Sequence, residues 1–189
     1  MIVSSPVAEP KLTEDNNSLV LYDADRLENI SSNLFQESYW RTADKVVGEA
    51  SGRGSVIFVR QDSDTWVLRH YHRGGFVGRF VRDRYMWRGA ERTRAFREWR
   101  MLFELCRRNL PVPPPVAARV CRQGMRYTAD IITVYLADTK SFESIILNGT
   151  AVLEQWSQVG RTLRQFHDHG VNHTDLNIRN ILLDENEKV

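Results

Sequence analysis

The stretch GVNHTDLNIRNILLD, residues 170–184, sets His173, Asp175, Asn177, Arg179 and Asn180 ahead of the short apolar run Ile181–Leu183. Asp175 and Asn180 stand five positions apart in what reads as a loop, after a helix closed by Gly170 and before a brief strand. A carboxylate placed there can accept a proton from a hydroxyl, and an amide oxygen can hold a hard cation such as Mg²⁺. Asp and Asn are also common turn residues, so the spacing alone fits a plain turn as well as phosphoryl-transfer chemistry. The segments upstream decide between the two.

Immediately before the stretch, Val152, Trp156, Val159, Leu163 and Phe166 form the apolar stripe of a helix for which Thr150 is the expected cap. Far upstream, KVVGEASGRGSVIFVR (residues 45–60) reads as strand, glycine-rich turn and strand, and DTWVLRHYH (64–72) as a third antiparallel strand. Gly48, Gly52 and Gly54 lack a Cβ, which lets backbone N–H groups approach phosphate oxygens; a simple glycine hairpin has the same composition. Arg69 shares a strand face with Val67. Glu98 lies on a helix whose apolar face is Ala95, Phe96, Trp99, Leu102, Phe103 and Cys106 and which ends near Asn109. Taken singly, each of the two charges reads as a surface ion-pair residue; together they can be held against nucleotide phosphates. LPVPPPV (110–116) reads as an extended connector, and YTADIITVYL (127–136) as a strand. Residues 34–45 show no clear period, and the polar residues 1–18 read as a loose arm. A strand-rich part with one helix followed by a helical part predicts an α+β fold in two lobes with a cleft.

Composition restricts the partners. With 42% hydrophobic residues in 189, the chain can bury an ordinary core. No apolar run spans a bilayer and the N-terminus has no signal-peptide pattern, so the expected compartment is the cytoplasm. Cys106 and Cys121 lack metal-ligand spacing and read as reduced structural residues. The net charge of +2 conceals a basic block: residues 69–108 hold 12 Arg against 4 acidic residues, +8, which leaves −6 for the rest. Within it, Phe76, Val77, Phe80, Val81, Tyr85 and Trp87 recur at near-helical spacing among Arg79, Arg82, Arg84 and Arg88. Such a block suits an anionic partner or a solvated surface, and no nucleic-acid-binding motif accompanies it.

The order glycine turn, basic strand residue, helix Glu, connector, helix and His-x-Asp-Leu-x-x-x-x-Asn resembles the protein-kinase-like fold from Gly48 onward. The resemblance implies that Asp175 is the catalytic base, Asn180 a Mg²⁺ ligand and His173 a scaffold residue. It further implies that Gly48, Gly52, Gly54, Arg69 and Glu98 serve ATP, and that Val134–Asp138 is the hinge meeting adenine. Three departures point away from regulated protein kinases and toward kinases of small molecules or glycolipids. Thr174 stands where many of them have Arg, Asn177 where they have Lys, and Arg69 replaces the strand Lys. VLRHYHRGG (67–75), FREWRMLFELCRRNLPVPPPVAA (96–118) and HTDLNIRNILLD are similar to the lipopolysaccharide core kinase family of Gram-negative bacteria, and within it to kinases of 3-deoxy-D-manno-octulosonic acid (Kdo).

That likeness implies transfer of the ATP γ-phosphate to the 4-hydroxyl of Kdo on a lipid A precursor, with Mg²⁺, at the cytoplasmic face of the inner membrane. Implied partners are the Kdo-bearing lipid A precursor and the anionic membrane surface; nucleic acid is not expected. Arg73, Arg79, Arg82, Arg84 and Arg88 would meet anionic groups, with Phe76, Phe80, Tyr85 and Trp87 dipping into the interface or packing on the first lobe. A heptose kinase of the same family and a non-catalytic module holding an anionic glycolipid remain alternatives. The domain reading is an arm over 1–18, a first lobe over 19–136 with the basic, aromatic insertion 74–90, and the opening of a second lobe over 137–189. A second metal-ligating Asp belongs in a strand beyond ENEKV (185–189). The expectation is therefore a fragment with a truncated C-terminal lobe and little turnover of its own, Asp184 being a turn residue and a poor substitute.

Overall fold

The structure, a computed structural model, describes residues 9–15, 17–50, 56–71, 85–172, 176–184 and 189. It divides into two compact units, Met1–Tyr135 and Leu136–Val189. The first is built on a sheet of β1 (Pro10–Asp15), β2 (Ser18–Asp23), β3 (Val46–Ala50), β4 (Val56–Gln61), β5 (Asp64–His70), β6 (Tyr85–Met86), β7 (Pro115–Gln123) and β8 (Arg126–Val134). The order is β1-β2-β7-β8-β5-β4-β3, with β6 beside β8, and all pairs are antiparallel. The fold is thus mixed α and β with an antiparallel sheet.

The three strands expected over 45–72 are β3, β4 and β5. Asp62, at φ 52°, occupies the left-handed region in the two-residue turn joining β4 to β5. Alternation along β5 sends Trp66 and Leu68 into one buried cluster and turns Val67 and Arg69 to the opposite face. The first face is covered by a 3-10 turn (Ser32–Phe35) and α1 (Glu37–Thr42), which supply Leu34, Phe35 and the fully buried Trp40. Trp40 Nε1 donates to the Leu34 carbonyl at 2.8 Å, so the ring is buried with its one donor satisfied. The second face is covered by α2 (Arg94–Arg107), whose Phe96, Trp99 and Phe103 pack against Leu21, Val120 and Ile131.

Several expectations need correction. The loose arm over 1–18 contains β1, an edge strand pairing Pro10 with Asp23 through Asp15 with Ser18. Its charges and initial proline suit an edge and conceal the strand from a hydrophobic pattern. Residues 34–45, without a period, hold a 3-10 turn and a short helix. The connector ends at Pro114, and PVAARVCRQ is β7, with Val116, Ala117, Ala118 and Val120 all buried. Burial on both faces removes the alternation that marks a half-buried strand. Tyr85–Met86, expected at helical spacing, is the strand β6; residues 74–84 lie outside the described residues.

The second unit contains β9 (Lys140–Ser141), α3 (Phe142–Leu147), α4 (Leu153–Asp168) and β10 (Leu182–Leu183), with β9 and β10 antiparallel. Its core is Phe142, Ile145, Val159, Ile181 and Leu183. Thr150 does not cap α4: its hydroxyl donates to the Ile145 carbonyl behind α3, and the Val152 N–H donates to Gln155 Oε1 at the true start. Gly170, at φ 72°, stands two residues beyond α4 as expected.

Candidate functional site

Strand pairing places Val56, Phe58, Val67, Arg69 and Thr133 on one sheet face, since Phe58 is opposite Val67, Val56 opposite Arg69 and Val67 opposite Thr133. All five are half-buried, whereas Ile57, Val59 and Leu68 on the reverse face are buried. The result is a partly open apolar strip on β4, β5 and β8 with a cation at one end. Such a strip can receive a flat, apolar ring while the cation meets an anion attached to it.

Arg69 and Glu98 come together as an ion pair, strand β5 meeting helix α2. Tyr71 completes the group: its hydroxyl donates to Glu98 Oε2, and Arg69 stacks 5.1 Å from the Tyr71 ring centre. Arg94 lies 5.7 Å from the same ring. Burial opposes charging of Arg69, but the Glu98 carboxylate and the Tyr71 hydroxyl together outweigh it and leave the guanidinium above its ordinary pKa. Burial and then the Glu98 charge push the Tyr71 phenol up, so Tyr71 is a hydrogen-bond donor at neutral pH. Arg69 thus stays a cation whose direction is fixed by Glu98 and Tyr71, the pair as a whole being neutral. Tyr71 was missed because an aromatic ending a strand reads as core.

The reverse face holds β5 in place. Asp130 on β8, with a side chain only 3% exposed, accepts from Arg119 at 2.8 and 2.9 Å and contacts His70 Nδ1 at 2.6 Å. Arg119 also donates to the carbonyls of Ser32 and Phe35. One buried carboxylate therefore ties the residue next to Arg69 to the covering segment. A cavity of about 240 Å³ borders this group.

Gly48 is where β3 shifts register against β4, and a Cβ there would stand 3.3 Å from the Phe58 ring. Its missing side chain makes room for Phe58, which meets the Tyr135 ring edge-on at 5.2 Å. Gly52 and Gly54 lie outside the described residues. At the expected hinge, the Val134 N–H donates to the Pro114 carbonyl and the Tyr135 N–H to that of Thr65.

In the second unit the loop before β10 is anchored on both sides of Asn180. Asn177 Oδ1 accepts from the Arg179 N–H at 2.9 Å, and Arg179 Nε donates to Glu143 Oε1 at 2.7 Å. The N–H groups of Glu143 and Phe142 donate to the carbonyls of Ile178 and Ile181. Asn180 is exposed between these anchors, and buried Ile181 and Leu183 follow it. An exposed amide on a fixed turn fits a metal-ligand role. Asp175 and His173 lie outside the described residues. Among the described residues no group of three His, Cys, Asp or Glu forms a metal cluster.

The aromatics of the basic block that are described pack on the first unit: Tyr85 stacks on Tyr127 at 5.3 Å and Trp87 meets it edge-on at 6.1 Å. Phe76, Phe80, Arg73, Arg79, Arg82 and Arg84 fall outside the described residues.

A 3-deoxy-D-manno-octulosonic acid kinase of Vibrio parahaemolyticus is 38% identical over 175 residues, 93% of this chain and 74% of that protein. Proteins of the same name from Vibrio cholerae and Haemophilus influenzae are 38% and 36% identical over 93% of this chain, covering 74% and 75% of their own lengths. The sequence profile of the lipopolysaccharide kinase (Kdo/WaaP) family matches residues 37–189, from the start of α1 through both units. With relatives this similar along nearly the whole length, the chain belongs to the lipopolysaccharide kinase (Kdo/WaaP) family.

Proposed function

We propose that the protein is an ATP-dependent kinase that phosphorylates the Kdo of a Kdo-bearing lipid A precursor, at its 4-hydroxyl, in lipopolysaccharide inner-core synthesis. The observation that carries this reading is the similarity along 93% of the chain to proteins named as kinases of that sugar. The fold assigned with it is protein-kinase-like, the first lobe, read from the sequence as 19–136, beginning at β1, and 137–189 opening the second.

When bound, ATP supplies an electrophilic γ-phosphoryl group and Mg²⁺ neutralises the charge spread over the phosphates. The strip of Val56, Phe58, Val67 and Thr133 suits the adenine ring, and Arg69, oriented by Glu98 and Tyr71, suits a phosphate oxygen. Backbone N–H groups near Gly52 and Gly54 would hold further phosphate oxygens. Asp175 would accept the proton of the acceptor hydroxyl, and the Asn180 amide oxygen would be a ligand for Mg²⁺. The acceptor is an amphiphile with a carboxylate and phosphates, and the basic block fits work at the cytoplasmic face of the inner membrane as a peripheral protein.

The test offers full-length protein and labelled ATP two acceptors, one ending in Kdo and one carrying heptose, with the phosphorylated position read by NMR. The expected result is label on the Kdo 4-hydroxyl; label on heptose alone refutes the reading.

A further inference from the structure

The arginines of the basic block fall into distinct environments. Arg69 pairs with Glu98, Arg100 with Glu91, and Arg107 and Arg108 with Glu104. The first belongs to the candidate nucleotide site, and the others are exposed pairs on or beside α2. Arg88, just after β6, is exposed and forms no ion pair among the described residues, and the same holds for Arg122 and Arg126 on β7 and β8. The three lie at the β7–β8 turn end of the sheet: Arg126 is opposite Met86 and Gln123 on one face, Arg122 is opposite Tyr127 on the other, and the Trp87 N–H, just before Arg88, donates to the Met125 carbonyl at 2.8 Å.

That end also carries unusual apolar surface. Met125 is 80% exposed and Met86 65%. Met125 occupies a two-residue turn whose other member, Gly124, is at φ 61°, so a tight hairpin holds it out. Beneath, Tyr85, Trp87 and Tyr127 form a rigid aromatic base, and Arg122 lies 5.2 Å from the Trp87 ring. Two exposed, flexible thioethers at the turn end, with cations on both sheet faces that have no carboxylate partner among the described residues, match one environment: an edge-on approach to the boundary where anionic headgroups meet acyl chains. A highly charged polymer satisfies the arginines but gives the methionines nothing to bury against, so the bilayer is the better fit.

We infer that the end of β6 and the β7–β8 turn form a docking surface for an anionic lipid bilayer, with Met86 and Met125 entering the interface and Arg88, Arg122 and Arg126 at the phosphate level. The inference deepens the reading of a lipid-linked acceptor by naming the face turned to the membrane, yet its test needs no acceptor. The complete protein is sedimented with phosphatidylglycerol-containing vesicles and with purely phosphatidylcholine vesicles over a salt series. Binding is expected on the anionic vesicles alone and to weaken with salt. Each arginine near the surface is worth roughly fivefold, so the triple change Arg88→Gln, Arg122→Gln, Arg126→Gln weakens binding about a hundredfold.

Arg122→Gln removes a contact with Trp87, so the pair Met86→Ser and Met125→Ser, at exposed positions, is a second probe, expected to weaken binding at least several-fold with an unchanged thermal melt. Unchanged vesicle binding in the serine pair overturns the inference. So does tight heparin binding that the serine pair leaves intact while vesicle binding is absent, which marks a polyanion partner instead. Phosphorylation of detergent-dispersed acceptor, measured in parallel, is expected to persist in both variants. Its absence from the unaltered protein sinks the proposed function and leaves the vesicle result standing by itself.

Discussion

Removing the charge of Glu98 while keeping its shape tests whether the Arg69 cluster is a nucleotide device or an ordinary surface pair. In Glu98→Gln the amide oxygen still accepts from Tyr71, but the Arg69 guanidinium loses its counter-charge. The side chains of Arg69 and Glu98 are 40% and 31% exposed, between the surface and buried limits. Solvent screening discounts the pair, and a loss of about 1–2 kcal/mol of stability is expected. For a unit of this size that lowers Tm by roughly 3–6 °C. Arg69 is then free to swing off the phosphate position, and losing one hydrogen bond to a charged group, worth roughly 1.5–3 kcal/mol, is expected to cost on the order of tenfold to a hundredfold in nucleotide affinity.

The matched control is Glu91→Gln. Glu91 makes a bidentate pair with Arg100 at 2.6 and 2.7 Å, but both side chains are more than 40% exposed and away from the strip. Its loss is expected to cost under about 0.5 kcal/mol and to leave nucleotide binding unchanged. Titration of a fluorescent ATP analogue, with thermal melts alongside, separates the two. Equal nucleotide affinity in both variants refutes a nucleotide role for the Arg69–Glu98 pair.

Other outcomes follow from the same geometry. Asp175→Ala in the full-length kinase is expected to abolish phosphoryl transfer with a normal melt, and Asn180→Ala to raise the Mg²⁺ concentration needed for half-maximal rate; near-normal turnover in the first variant refutes the assignment of the base. Asp130→Ala leaves the half-buried Arg119 without its carboxylate but with the Ser32 and Phe35 carbonyls, and is expected to cost about 2–3 kcal/mol, read by urea unfolding. Burial pushes the Cys106 thiol up to about 11, so little thiolate exists at pH 8. Alkylation of Cys106 by iodoacetamide in the native protein, followed by mass spectrometry, is expected to run on the order of a hundredfold slower than in the denatured chain, and to accelerate as pH rises.

The parts legible in the sequence are those where one face is wet and the other dry. The α2 stripe and the β3–β5 hairpins declare themselves because burial alternates with a helix or strand period. From Arg69 and Glu98, two separated charges, a pair can be guessed because element order brings that strand and helix together. β7 is hidden because both its faces are buried, and β1 because a polar edge strand has no buried pattern. Tyr71 and the Arg119–Asp130–His70 group are hidden for a different reason. Their meaning lies in cross-strand register, such as His70 opposite Asp130, which no linear spacing records.

β5 and β6 both end on the same neighbour. Tyr71 donates its N–H to Ala129, and Tyr85 pairs with Tyr127, two positions along β8. Tyr71 and Tyr85 are therefore moored two positions apart on one strand, so the ends that any connection between them must join are already neighbours. Because β8 supplies both moorings, the strand that carries Arg69 is held in register by β4 and β8 and owes nothing to what joins Tyr71 to Tyr85.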